Sequence, residues 1–171
     1  MQRQSRVMAV CGMMTALGVV LMLLGHVLGL GLYAAPMLVG LALVPIGNRY
    51  GRKYHILMWL AIGILSALTG VNAEQTLFFA LFFGLYPILR PFFMRLPKLL
   101  RVLAKLGYCN AVAVGIELLV LYVIAPEAIG LPLLLLLLAL GNLLFFCFDF
   151  VIPHTELLLR NLQKRIRRLH P

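Results

Sequence analysis

The sequence predicts an all-α, polytopic membrane protein: a bundle of six transmembrane helices with both termini cytoplasmic. Three observations carry that prediction. The 171-residue chain is 63% hydrophobic and only 12% charged, more apolar surface than a soluble domain of this size could bury. All 15 of its Lys and Arg residues fall into four clusters, Arg3/Arg6, Arg49/Arg52/Lys53, Arg90/Arg95/Lys98/Arg101/Lys105 and Arg160/Lys164/Arg165/Arg167/Arg168. The stretches between clusters are long and apolar. Basic residues near span ends are held on the cytoplasmic side, so each interval must cross the bilayer an even number of times.

Interval lengths then set the number of crossings. A helix spans the ~30 Å hydrocarbon core in about 20 residues. The first interval, 7–48, would reach ~63 Å as one helix, so it is expected to fold back near Gly29, Gly31 and Pro36, where helical continuity is weakest. That gives helices at 7–29 and 33–48, the second short and carrying Pro36 and Pro45. The second interval is split by Asn72-Ala73-Glu74-Gln75 into helices at 55–71 and 75–90. The third is broken at 125–130, around Pro126 and Gly130, into helices at 106–125 and 131–152. Glu74 and Glu127 fall in the external turns, which agrees with the orientation although acidic residues carry little topological force. The whole chain, 1–171, reads as a single integral domain in the cell membrane. The apolar run after Arg6 continues well past a signal h-region and reads as a retained first span. With no sizeable polar stretch, ATP hydrolysis or other soluble-domain chemistry would need a separate subunit.

Two basic segments are expected at the cytoplasmic face. After Pro97, Lys98, Arg101 and Lys105 recur on one side while Leu99, Leu100 and Leu103 turn away, so 97–105 reads as a short interfacial helix. The tail, 156–171, reads as a second basic helix. Both suit headgroup anchoring, or contact with a partner. The net charge of +10 does not point to nucleic acid, because the basic residues flank apolar spans, where anionic headgroups attract each by ~1 kcal/mol. Cys11, Cys109 and Cys147 are odd in number and lie within apolar segments, and they read as small buried hydrophobes rather than disulfide partners or metal ligands.

Ionisable and amide groups inside the membrane are costly and therefore mark candidate sites. Glu117 is foremost, about 12 residues beyond Lys105 and so ~18 Å further along its helix. Asn142 is expected at comparable depth, His26 toward the external end of the first helix, and Asn72, Glu74 and Gln75 at the external turn. Together these could line a pocket for a small polar or cationic solute. The competing reading makes Glu117 a protonated hydrogen-bond donor that fixes helix packing. Asp149 and Asn110 belong near the cytoplasmic ends of their helices, where Asp149 is expected to pair with Lys105 or an Arg of the 90–101 loop. His55, His154 and His170 sit at membrane edges and read as structural.

Ala9, Gly12 and Ala16 recur at helical spacing on the first helix, a pattern that lets another helix approach closely. That helix could belong to this chain or to a separate membrane subunit. Enzyme chemistry is not expected. The single aspartate rules out a paired-aspartate peptidase within the chain, and no H-E-x-x-H, G-x-S-x-G or P-loop pattern occurs. No metal or cofactor is called for.

Three features bear a family resemblance: the small-residue pattern A-V-C-G-M-M-T-A at 9–16, the short proline-bearing second helix ending in V-P-I-G-N-R-Y-G at 44–51, and F-F-G-L-Y-P-I-L at 82–89. In these, and in its six-helix layout, the chain resembles the substrate-binding S components of energy-coupling-factor transporters of the bacterial inner membrane. The resemblance implies that Ala9, Gly12 and Ala16 pack on a transmembrane coupling subunit. It also implies that cytoplasmic ATPase subunits power uptake and that a vitamin-like solute binds near the external side. Gly12 stands where the family often has a second Ala, which keeps the residue small. The alternative is a structural, scaffold-like membrane protein of a cell-envelope complex with no transport activity.

Overall fold

A computed structural model describes residues 2–29, 31–119 and 131–169. Every regular element among them is a helix: α1 (Gln2–Val27), α2 (Gly31–Tyr50), α3 (Arg52–Leu68), α4 (Ala73–Leu77), a π-helical segment (Phe78–Phe83), α5 (Tyr86–Phe93), α6 (Lys98–Leu119) and α7 (Leu131–Leu169). Among the described residues four stretches are long and apolar enough to cross a bilayer: Gln4–Val27, Ala73–Phe93, Lys98–Leu119 and Leu138–Thr155. The exterior agrees. Large hydrophobic side chains such as Met13 (73% exposed), Leu68 (78%) and Leu99 (77%) stand on the outside of the bundle, a surface that suits lipid and would be a liability in water.

α1 ends in a turn at Leu28 and Gly29, and Pro36 and Pro45, expected near or beyond the break, lie inside α2. Pro36 tells why this is tolerated. It is fully buried, as are Val39, Leu43 and Val44 nearby, because α2 is the central helix, touching α1, α3, α4, the π segment and α7. Tertiary packing on most of its faces outweighs the lost helix bonds. The α2–α3 turn is made by Gly51, whose φ of 104° is open to glycine and strained for other residues.

The expected turn at 72–75 is shorter. Asn72 caps α4, its side chain accepting a hydrogen bond from the Glu74 N–H at 3.1 Å, and the helix then runs α–π–α to Phe93. In the π segment the Gly84 N–H donates to the Phe79 carbonyl, five residues back, at 2.7 Å. Neighbouring helices address its carbonyls from two sides: Trp59 Nε1 of α3 donates to Ala80 O at 2.8 Å, and the Tyr108 hydroxyl of α6 donates to Leu81 O. The extra residue per turn distributes four phenylalanines between two cores. Phe79 joins Met22, Val39 and Ile62 in one, while Phe78, Phe82 and Phe83 join Tyr86, Phe145 and Phe148 in the other.

The 97–105 segment is not a separate interfacial helix. It is the first turns of α6, which continues unbroken to Leu119. Lys105 is buried, at 8% exposure, and Arg101 closes the preceding turn by donating to the carbonyls of Met94 (3.0 Å) and Leu96 (3.1 Å). An ion partner and a row of open carbonyls bind these cations more specifically than headgroups would. The basic tail does continue as helix, as the last turns of α7. The cysteines divide: Cys109 is buried, Cys11 half-buried and Cys147 exposed, the last on the outward face of α7. The expected turn at 125–130, with Glu127, lies outside the described residues, as does His170.

Candidate functional site

α6 and α7 run antiparallel, and three levels of contact along them show it. Lys105 meets Asp149, Asn110 meets Asn142, and Glu117 lies across a cavity from Leu138 and Gly141. Ascending α6 is descending α7, and each level carries different chemistry.

At the first level Asp149 is held by three groups. Lys105 Nζ lies 2.5 Å from its Oδ2 and Arg90 Nε 3.4 Å from its Oδ1. The Tyr86 hydroxyl donates to Oδ1. Asp149 therefore pairs with both partners expected for it, Lys105 and an Arg of the 90–101 loop. Tyr86 is fully buried and wrapped by rings: Phe93 stacks on it, and Phe145 meets it edge-on at 4.7 Å between centroids. The cluster ties α5, α6 and α7 together at the end of the bundle that also carries Arg49, Arg52 and Lys53. Tyr86 and Arg90 are four residues apart and so share one helix face. That spacing was visible in the sequence, but a tyrosine in an apolar run gives no sign that a carboxylate from α7 will meet it.

At the second level the Asn142 amide donates to Asn110 Oδ1 and to the Leu138 carbonyl, each at 2.8 Å, and Asn110 donates back to Leu106 O at 3.0 Å. An interhelical amide pair of this kind fixes the register of two apolar helices.

At the third level Glu117, 8% exposed, faces inward. It lines a cavity of about 20 Å³ together with Tyr33 of α2, Phe78, Phe82 and Phe83 of the π segment, Ala113 of α6, and Leu138, Gly141 and Leu144 of α7. That is room for little more than one water, which needs ~10–15 Å³.

No family model, curated protein or solved structure matches the chain. The arrangement of its own residues therefore carries the functional argument.

The structure does not gather all the expected pocket residues around Glu117. Asn142 lies one level away, engaged with Asn110. Gln75 is 1% exposed and donates to the Met22 carbonyl at 2.9 Å, locking α4 to α1. Asn72 is occupied as the cap of α4 and His26 is exposed, whereas Glu74, half-buried, is close enough to act electrostatically on both Glu117 and Tyr33. What lines the cavity beside Glu117 is largely aromatic: Tyr33 and the phenylalanines of the π segment. The F-F-A-L-F-F run at 78–83 was conspicuous in the sequence, yet helical spacing would turn only part of it inward. The π winding brings Phe78, Phe82 and Phe83 to one wall.

Ala9, Gly12 and Ala16 stand on the outer face of α1. All are exposed, and a Cβ added at Gly12 would meet nothing within 4 Å. The packed face of α1 is the one bearing Gly18, Val19 and Met22, where a Cβ on Gly18 would run into Ile62 and Val39.

Proposed function

We propose that this chain is a membrane-embedded solute-binding subunit of an uptake transporter, resembling the S components of energy-coupling-factor systems. It would take a small, vitamin-like solute from the external side and depend on a separate coupling subunit and ATPase subunits. The observation that supports this best is Glu117: a carboxylate deep in an apolar bundle, turned toward a cavity rather than toward lipid. Intramembrane carboxylates are expensive and tend to serve a site. With Tyr33 and the Phe78/Phe82/Phe83 rings around it, the carboxylate suits a polar or cationic solute group, because aromatic faces and an anion both attract positive charge. The exposed small-residue face of α1 leaves a flat surface of the kind a coupling subunit would cover.

The finer topology belongs to the same proposal: six passes, both termini cytoplasmic, with the 69–72 turn outside. In a background with Cys11, Cys109 and Cys147 replaced by Ala, a cysteine at Asn72 is expected to react with an impermeant maleimide added to intact cells. Labelling only after the cells are opened would refute that orientation.

One observation favours the scaffold alternative. The Glu117 cavity is filled nearly to closure by side chains, as a purely structural core would be, so solute entry requires α6 or α7 to part from the π segment. Native mass spectrometry of the gently extracted protein separates the two. The transport reading expects a retained small molecule, an associated ATPase, or both, and expects Glu117→Gln to lose the small molecule while the complex stays assembled. A ligand-free protein with no ATPase partner supports the scaffold.

A further inference from the structure

The Glu117 cavity has a second carboxylate close by. Tyr33 lines the cavity from α2 and Glu117 from α6. Glu74, in the first turn of α4, is close enough to act electrostatically on both. Three helices thus bring two acids and a phenol into one neighbourhood.

Three features of that neighbourhood point to a ligand. First, the negative charge has no answer within the described chain. Among the described residues neither Glu117 nor Glu74 pairs with a Lys, Arg or His, and neither carboxylate accepts a hydrogen bond. Glu117 is 8% exposed, and an unpaired carboxylate so far out of water is costly. A second acid nearby adds repulsion to that cost. Next, the walls favour positive charge. Phe78, Phe82 and Phe83 form one side of the cavity, Tyr33 meets Phe78 edge-on at 4.8 Å between centroids, and ring faces attract cations. Finally, the volume of about 20 Å³ is near the ~10–15 Å³ that one water requires. An NH3+ group is of water size. A quaternary ammonium is not, because methyl groups surround its nitrogen. A divalent cation would want about six oxygens or more, which this largely aromatic lining does not offer.

We infer that the Glu117 cavity takes a primary ammonium group, held by the Glu117 carboxylate and the surrounding rings, with Glu74 deepening the negative potential around it. The inference rests on the solute-binding reading of this cavity and narrows it: the solute is an amine, neither an anion nor a quaternary ammonium compound. Hydrogen bonds from NH3+ to a carboxylate are charge-assisted and so among the strong ones. One cation satisfies Glu117 and relieves its repulsion with Glu74 at once. The same chemistry serves the ammonium ion itself and the head of a larger amine.

A series of amines tests this and separates the two sources. In a maltoside detergent near neutral pH, the purified protein is titrated with ammonium, methylammonium, propylammonium and tetramethylammonium chlorides in exchange for sodium chloride at matched ionic strength. Binding is read by calorimetry and by the thermal midpoint. Saturable binding of methylammonium is expected, roughly tenfold or more tighter than that of tetramethylammonium. Ammonium binding more tightly than propylammonium identifies the free ion as the ligand, and the reverse order identifies the head of a larger amine. Glu117→Gln keeps the shape and is expected to weaken binding roughly tenfold or more. Glu74→Gln, at a half-buried position, is expected to weaken it about threefold through the lost field. Methylammonium binding no better than tetramethylammonium, or equally well in Glu117→Gln, overturns the inference. Native mass spectrometry keeps its failure apart from that of the solute-binding reading. A retained solute with no ammonium group refutes the amine alone, whereas a protein that retains nothing, carries no ATPase and binds no amine refutes both.

Discussion

Asp149→Asn is expected to destabilise the protein by ~3–5 kcal/mol, the range seen when one partner of a buried ion pair is removed. Among the described residues the carboxylate is the counter-charge in contact with Lys105, which is 8% exposed, and it also accepts from Arg90 and from the fully buried Tyr86. Asparagine keeps the shape and loses the charge, so the cost is that of taking the counter-charge from Lys105 in an apolar setting. The partner substitution tests the cause. Lys105→Met in the Asp149→Asn background removes the buried ammonium as well and is expected to recover a large part of the loss, because contacting charges couple by ~0.5–3 kcal/mol. Reversible unfolding in mixed micelles measures both. A loss below ~1 kcal/mol for Asp149→Asn, within the range of exposed ion pairs, would mean that solvent reaches the cluster and screens it.

The all-helical, membrane-compatible character of the chain was legible because it rests on coarse quantities, apolar content and helix length. Basic clusters and turn residues predict helices at 7–29, 33–48, 55–71, 75–90, 106–125 and 131–152. The described helices follow that order, but the fourth is divided by the π segment, α6 begins eight residues early at Lys98 and α7 runs on to Leu169. The pairing of Asp149 was legible too, since a lone acid near a basic loop has few other ways to be neutralised. What composition could not reveal was winding and rotation. An α-helical reading of 75–90 has no means to foresee the π segment, which depends on Trp59 and Tyr108 reaching its carbonyls from helices distant in sequence. Depth alone placed Asn142 beside Glu117, yet rotation about α7 turns the amide to Asn110 and leaves Gly141 at the cavity. Lys105 had two readings in the sequence, a headgroup anchor from its spacing with Lys98 and Arg101 and a partner for Asp149, and the structure selects the second. Its inward turn is dictated by Asp149, a partner 44 residues away. Periodicity finds faces, and only tertiary structure says what each face meets.

Gly40 is where the second large effect is expected. It lies on the buried side of α2, and a Cβ placed there would sit 2.6 Å from the Phe83 carbonyl oxygen and 3.0 Å from both the carbonyl carbon and Cβ of Phe83. The obstacle is mostly backbone, so no rotamer change relieves it. Either α2 or the π segment must move, and overpacking of this kind costs ~1–3 kcal/mol. Gly40→Ala is therefore expected to lose about that much and Gly40→Leu to fail to fold. Gly63→Ala is the matched control: it is also a helical glycine, but a Cβ there meets nothing within 4 Å, so the added methyl should be neutral or stabilising by ~0.5–1 kcal/mol through the helix preference of Ala over Gly. Equal stabilities for the two alanine variants would show that α2 and the π segment are not in close contact. The effect should also extend beyond stability. Phe83 lines the Glu117 cavity, so a methyl on the far side of its backbone moves that wall without touching the cavity. If the cavity is the solute site, Gly40→Ala weakens the retained ligand in proportion to the shift, whereas Gly63→Ala leaves it bound.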